Sequence, residues 1–317
     1  RSRGLGDVYK RQDFQDYESE ASEYADLMAD NKIQEFSELD MKMSADILQD
    51  IKDSGDIELE MSAFTEEALN ELLAKSQEGE VKEDDADLTP PENPVSEQGD
   101  IWLLGKHRLI CGDSTKAETY ENLMNGKKAN LVVTDPPYNV AYEGTAGTIQ
   151  NDSMEDGKFY EFLFSAFKCM YDVCADGASI YVFHADKESI NFRTAFRDAG
   201  FFCHQTCIWV KNTPVLGRCD YQYCHEPILV GWKPTAGHKW YSDRKQRTVW
   251  NFDKPKKSEL HPTTKPIPLV AYPIQNSSVV NSVILEPFGG SGSTLIACEQ
   301  TDRICCLLYT SDAADDK

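Results

Sequence analysis

The sequence predicts an α/β fold organised around a mostly parallel sheet, and three observations carry the prediction. After Gly99 short apolar runs alternate with helical patterns, each run closed by Gly, Pro or Asp. Two of these runs, NLVVT ending at Thr134 and SVILE ending at Glu286, have the continuous apolar character of buried strands. Each leads at once into a Pro-rich or Gly-rich turn, the position where open α/β sheets place their ligands.

Taken in order, residues 1–12 (RSRGLGDVYKRQ) and the closing residues 306–317 follow no surrounding pattern and resemble translated adapter sequence. They are set aside from the fold as non-native sequence, which leaves the fold truncated at its C-terminus. Residues 13–77 form an acidic extension with Leu27, Ile33, Phe36, Leu39, Met43, Ile47 and Ile51 at helical intervals, and Thr65 stands as a helix start. Residues 78–98 hold acids and Pro90, Pro91 and Pro94 with few apolar side chains, and read as a linker. Beyond it strands are expected at Leu109–Cys111, Asn130–Thr134, Ser179–His184, Thr206–Lys211, Pro227–Trp232 and Ser282–Glu286. Helices are expected at Ala117–Asn125, Lys158–Cys174 and Lys187–Ala199, with others opening after Lys265 and after Gly292.

The net charge of -22 is concentrated in residues 1–100, where 9 Lys+Arg face 29 Asp+Glu. Residues 204–270 carry 11 Lys+Arg against 5 Asp+Glu, so a basic surface for nucleic acid is compatible with an acidic whole. No apolar run is long enough to span a bilayer, and the chain reads as soluble and cytoplasmic. The ten cysteines lack any C-x-x-C pair and read as reduced thiols, with no metal site.

The candidate chemistry falls in five places. Asp135, Pro136, Pro137 and Tyr138 follow the first buried strand. An exocyclic amine is a poor nucleophile because its lone pair is delocalised into the ring. Asp135 and the Pro136 carbonyl supply two acceptors that would hold its N–H bonds, prolines keep that carbonyl free of competing donors, and Tyr138 offers a face for stacking. An ordinary turn capped by Asp135 is the alternative.

Glu286 and the loop through Phe288, Gly289, Gly290 and Gly292 follow the second strand. Glycines let a backbone approach a ligand closely, and an acid at the strand end suits an ammonium better than a phosphate. His261 and Lys265 lie between the two motifs, and Lys265 could pair with a carboxylate. Asp113 ends an earlier strand and could accept from an adenine amine or cap a helix. Finally, Gly231–Leu260 is basic and interleaved with Trp240, Tyr241 and Trp250; Lys239, Arg244, Lys245 and Arg247 are candidates for phosphate contacts.

Together DPPY at 135–138, HPTTKP at 261–266 and EPFGGSGST at 286–294 resemble the amino-methyltransferases of DNA. The order of the motifs is similar to that of the permuted β class. The resemblance covers about Gly99 to Cys305 and implies a Rossmann-like doubly wound sheet, S-adenosylmethionine as cofactor, and double-stranded DNA as partner with base flipping. It implies amine-binding and stacking roles for Asp135, Pro136 and Tyr138, and donor roles for Glu286, Gly289, Gly290, Gly292, Lys265 and Asp113. It implies a target-recognition segment at about 231–260 and a base pocket lined or supported by Trp209, Lys211, Tyr223, His225 and Glu226. The acidic N-terminal segment is similar to regions that join ParB-like domains to phage methylases, and a homodimer is a further expectation. The family carries Asp where Glu286 stands, and has a further strand beyond Arg303 ending in an acid for the donor's ribose, a strand not expected in the tail excluded above. Aspartate at 135 favours adenine N6 over cytosine N4, where serine is common, and over RNA or protein glutamine, where asparagine is common. A catalytically impaired DNA-binding module is the reading from a different class.

Overall fold

The computed structural model describes residues 19, 22, 41–54, 65, 81–83, 96–140, 143–144, 147–148, 152–215, 219–253 and 264–309. The chain divides into two units, Arg1–Gln77 and Glu78–Lys317. In the first, α1 (Met41–Ser54) buries Leu48 and Ile51. Ile47 and Ile51 belong to the expected apolar stripe; Leu27, Ile33, Phe36 and Leu39 lie outside the described residues. Thr65 is described and exposed, but the helix expected after it is not among the described residues.

The second unit holds a nine-stranded sheet. Its elements are β1 (Ile101–Leu104), β2 (His107–Cys111), α2 (Ala117–Met124) and β3 (Ala129–Thr134), then a small separate hairpin of β4 (Glu143–Gly144) and β5 (Gly147–Thr148). After these come α3 (Asp156–Val173), β6 (Cys174–Phe183), α4 (Ser189–Asp198), β7 (Phe202–Val215), β8 (Tyr223–Trp232) and β9 (Val249–Asn251). The described chain closes with α5 (Ile267–Ser277), β10 (Val283–Glu286), α6 (Ser293–Gln300) and β11 (Ile304–Tyr309). The strand order is β1-β2-β11-β10-β3-β6-β8-β7-β9. From β2 to β6 every neighbouring pair is parallel; β8 runs antiparallel to both β6 and β7, and β9 returns parallel to β7.

Strict alternation along the central strands explains their continuous apolar character. Val132, Ile180, Val182 and Leu285 join one core with α2, α3 and α4, while Leu131, Val133, Tyr181, Phe183 and Ile284 join a second core with α5 and α6. In α3, Phe159, Leu163, Ala166, Phe167 and Met170 form the buried stripe.

Three expectations need correction. β11 occupies the sheet between β2 and β10, so residues 306–309, set aside above, supply buried strand. Cys305, Cys306, Leu307 and Leu308 alternate between the two cores, cysteine serving as a small apolar side chain. The strand assigned to 206–211 runs from 202 to 215, because pairing with β8 sustains an exposed ribbon past the apolar stretch. Trp250, read as part of the recognition segment, lies in β9 and is buried against Tyr181 and Tyr272. In the expected linker, Lys82 exchanges two hydrogen bonds with the Gln300 side chain, which imitates a strand partner.

Candidate active site

Parallel pairing of β3 with β10, with Leu285 beside Val132, delivers both motif turns to the same edge of the sheet. Thr134, the last residue of β3, donates its hydroxyl to Glu286 Oε1 at 2.8 Å, so the Asp135 turn and the glycine turn are joined directly. Glu286 also accepts the Phe288 N–H on Oε1 at 2.9 Å and the Thr294 hydroxyl on Oε2 at 3.2 Å. Burial pushes the Glu286 carboxyl up to about 7 against these three donors, with the Asp135 charge adding to the rise. Glu286 therefore fastens its loop to β3 and keeps free acceptor capacity on Oε2.

The glycines of that loop do different things. A side chain at Gly289 would meet Leu307 at 2.3 Å, and its N–H donates to the Leu308 carbonyl at 2.8 Å. Close packing on β11, not ligand approach, requires glycine there. Gly292 adopts the left-handed conformation at φ 77° that opens α6. Gly290 and Gly292 both face open space on the Cβ side, and at Gly290, where no positive φ calls for glycine, this suits the approach of a ligand. Phe288 packs on Phe162 of α3.

Asp135 is partly exposed, and its two oxygens are engaged by Tyr138 Oη at 2.6 Å and Lys265 Nζ at 2.6 Å. The Tyr138 hydroxyl also lies 3.0 Å from Glu226 Oε2, and burial with the two neighbouring carboxylates raises its pKa well above the ordinary range. Lys265 donates to Tyr138 Oη at 3.1 Å and pairs with Glu226 Oε2 at 3.2 Å; Lys211 pairs with Glu226 Oε1 at 2.5 Å. Burial alone would raise Glu226 and lower Lys265, but the opposite charges outweigh it in both and keep both ionised. The Lys265 ammonium also sits over three rings, at 4.7 Å from Phe183, 5.5 Å from Tyr138 and 5.9 Å from Trp209. Lys265 thus points to the Asp135 turn instead of the glycine turn, although its carbonyl accepts from Ser293, the first residue of α6 after that turn, at 2.9 Å.

Among the described residues no group donates to the Pro136 carbonyl. Pro136 is buried and Pro137 half-buried. Sequence reasoning missed Asp152, a buried carboxylate that accepts the backbone N–H groups of Tyr138 and Val140 at 3.0 and 3.2 Å and so holds the turn's exit. It also missed Phe183, whose ring stands under Lys265. Neither residue sits in a recognisable motif, and only the path of the chain brings them in. Asp113 follows the end of β2 by two residues, two strands from β10, and its Oδ1 accepts from the Thr115 N–H and hydroxyl. His261 lies outside the described residues, as do Lys254, Lys256 and Lys257.

A family model described as DNA methylase matches residues 129–308. The chain belongs to the DNA methylase family. Its match takes in both motif turns and β11 up to Leu308. Type II methyltransferase M.HpaI of Haemophilus parainfluenzae is 27% identical to this DNA methylase over 219 residues, covering 62% of the chain and 68% of the relative. Methylase YubD of Escherichia coli (strain K12) is 28% identical over 198 residues, covering 62% of the chain and 81% of the relative. In solved structures the fold is shared with the M1.HpyAVI-SAM complex (19% identity, TM-score 0.50, 65% of this chain and 97% of that one). It is shared as well with PvuII DNA methyltransferase, cytosine-N4-specific (14% identity, TM-score 0.52, 65% and 84%).

The basic candidates of the methylase lie apart from the motif turns, on a segment whose Tyr241 N–H donates to the Asn276 carbonyl at the C-terminal end of α5. Arg247 lies three residues before Trp250, whose partner Trp209 pairs with Glu226. β9 stands roughly 20 Å across the sheet from β3. Lys239 and Lys245 share this surface, and Arg244 and Arg247 line a cavity of about 360 Å³ with His204, Trp240 and Gln246. All four basic residues are exposed.

Proposed function

We propose that this DNA methylase transfers the methyl group of S-adenosylmethionine to adenine N6 within a specific site in double-stranded DNA. The observation that carries the reading is the 2.8 Å bond between Thr134 and Glu286, which sets the acceptor turn beside the donor loop. In this reading Asp135 and the Pro136 carbonyl take the two N–H bonds of the amine, and Tyr138 stacks on the base rotated out of the duplex. Glu286 Oε2 meets the donor's ammonium, and Gly290 leaves room for the donor along the loop. When bound, the donor supplies an activated methyl on a positively charged sulfur.

The nitrogen lone pair forms the N–C bond as the C–S bond breaks, and its electron pair returns to sulfur. The nitrogen then carries the positive charge until one N–H proton leaves to water. Asp135 lowers the energy of that charge, so positioning and electrostatics supply the acceleration. Lys239, Arg244, Lys245 and Arg247 hold phosphates at a distance from the reacting base.

Labelled donor incubated with DNA, followed by digestion to nucleosides, tests the proposal. Label is expected in N6-methyldeoxyadenosine. Label only in N4-methyldeoxycytidine rejects the choice of base, and no label in any nucleoside rejects the reaction. The SAM and cytosine-N4 activities named above belong to the relatives; Asp135, where serine would favour cytosine, supports adenine here.

A further inference from the structure

The place that the target amine must take at Asp135 is already held by a cation. Lys265 Nζ donates to Asp135 Oδ2 at 2.6 Å and stands over the Tyr138 ring that a rotated base would cover. Three oxygens and three aromatic faces surround this ammonium, so it does not drift away when a neutral amine arrives. It has to be displaced from Asp135 and still be compensated. Glu226 is the group placed to do this. It touches Lys265 through Oε2, and Lys211, itself nearly buried, fixes its other oxygen at 2.5 Å.

Resting on the reaction proposed above, we propose that Glu226 is a positioning residue for methyl transfer. It retains the Lys265 ammonium while the target amine displaces that ammonium from Asp135. With Glu226 present, Lys265 has two carboxylates to share, and yielding one leaves it paired. With Glu226 neutral, the whole attraction of a buried ammonium falls on Asp135, and the amine competes against a stronger pair. The retained lysine also leaves the Asp135 charge free to meet the positive nitrogen formed in the transfer.

The test is a double-mutant cycle on the full chain with Glu226→Gln, Lys265→Met and the double variant. The DNA is a duplex containing the site mapped from plasmid methylated by the wild type. Glu226→Gln is expected to slow single-turnover methylation by roughly tenfold or more, and adding Lys265→Met is expected to bring the rate within about threefold of Lys265→Met alone. Losses that simply multiply would overturn the proposal, because a structural carboxylate has no reason to be suppressed by removing its neighbour.

A second readout uses 2-aminopurine in place of the target base. Its fluorescence on binding is expected to fall in Glu226→Gln and rise in Lys265→Met. If Glu226→Gln does not fold, by its thermal melt, Lys265→Met alone decides: unchanged or dimmer fluorescence overturns the proposal. A wild type that methylates no DNA defeats the parent reading, whereas an active wild type with independent variants defeats only this one.

Discussion

Asp135 accepts from a tyrosine on one oxygen and a lysine on the other, at the exit of a buried strand yet partly exposed. Its replacement removes an acceptor from the site without opening the core. Asp135→Ala is therefore expected to lower methyl transfer by roughly 10²-fold or more while leaving the thermal midpoint nearly unchanged, read by transfer rate and calorimetric melt side by side. Glu286 behaves differently because it is buried. With its carboxyl pushed up to about 7 from 4.5, the folded chain holds the proton more tightly than the unfolded one. The stability this contributes is complete at lower pH and is lost as the pH rises from about 4.5 through 7. Glu286→Gln is expected to flatten that decline in denaturant titrations at about pH 5 and 8. Donor binding should move the opposite way, strengthening over the same interval as the carboxylate forms. Calorimetry showing pH-independent binding would remove Glu286 from the donor's ammonium.

The element that most changes the picture is β11. Its residues alternate between both cores, and Leu307 lies directly under Gly289, so the donor loop rests on this strand. Gly289→Ala is expected to destabilise the fold by about 1–3 kcal/mol through the clash, and Leu307→Ala by about 2–5 kcal/mol through the cavity it leaves. Denaturant midpoints measure both, and donor affinity should fall with each; an unaffected affinity would show that the loop does not depend on its support. The expected helices Ala117–Asn125 and Lys158–Cys174 match α2 and α3 within two residues, because an amphipathic stripe is a local property. β11 was not legible. Six residues beside an acidic tail carry no period of their own, and their strand character comes from the slot between β2 and β10.

Across the whole second unit, the basic surface is set apart from the chemistry. Replacing Arg244 or Arg247 by Ala is expected to weaken DNA binding about equally for all sequences and to reduce the slope of log affinity against log salt by roughly one each. Donor binding should not change. Anisotropy titrations at several salt concentrations measure this, and a sequence-selective loss would instead place these residues on base edges. The segregation of acid into residues 1–100 had already shown that net charge does not describe this surface. From the sequence alone came the α/β class, the two motif turns and the chemistry their residues can perform, because periodicity and functional-group type are written locally. Tertiary structure decided that Lys265 faces Asp135, that Glu226 and Lys211 close a charge network around it, that Trp250 is core, and that Gly289 serves packing. Each of those outcomes depends on which strands become neighbours, and neighbour choice is settled by burying two cores at once.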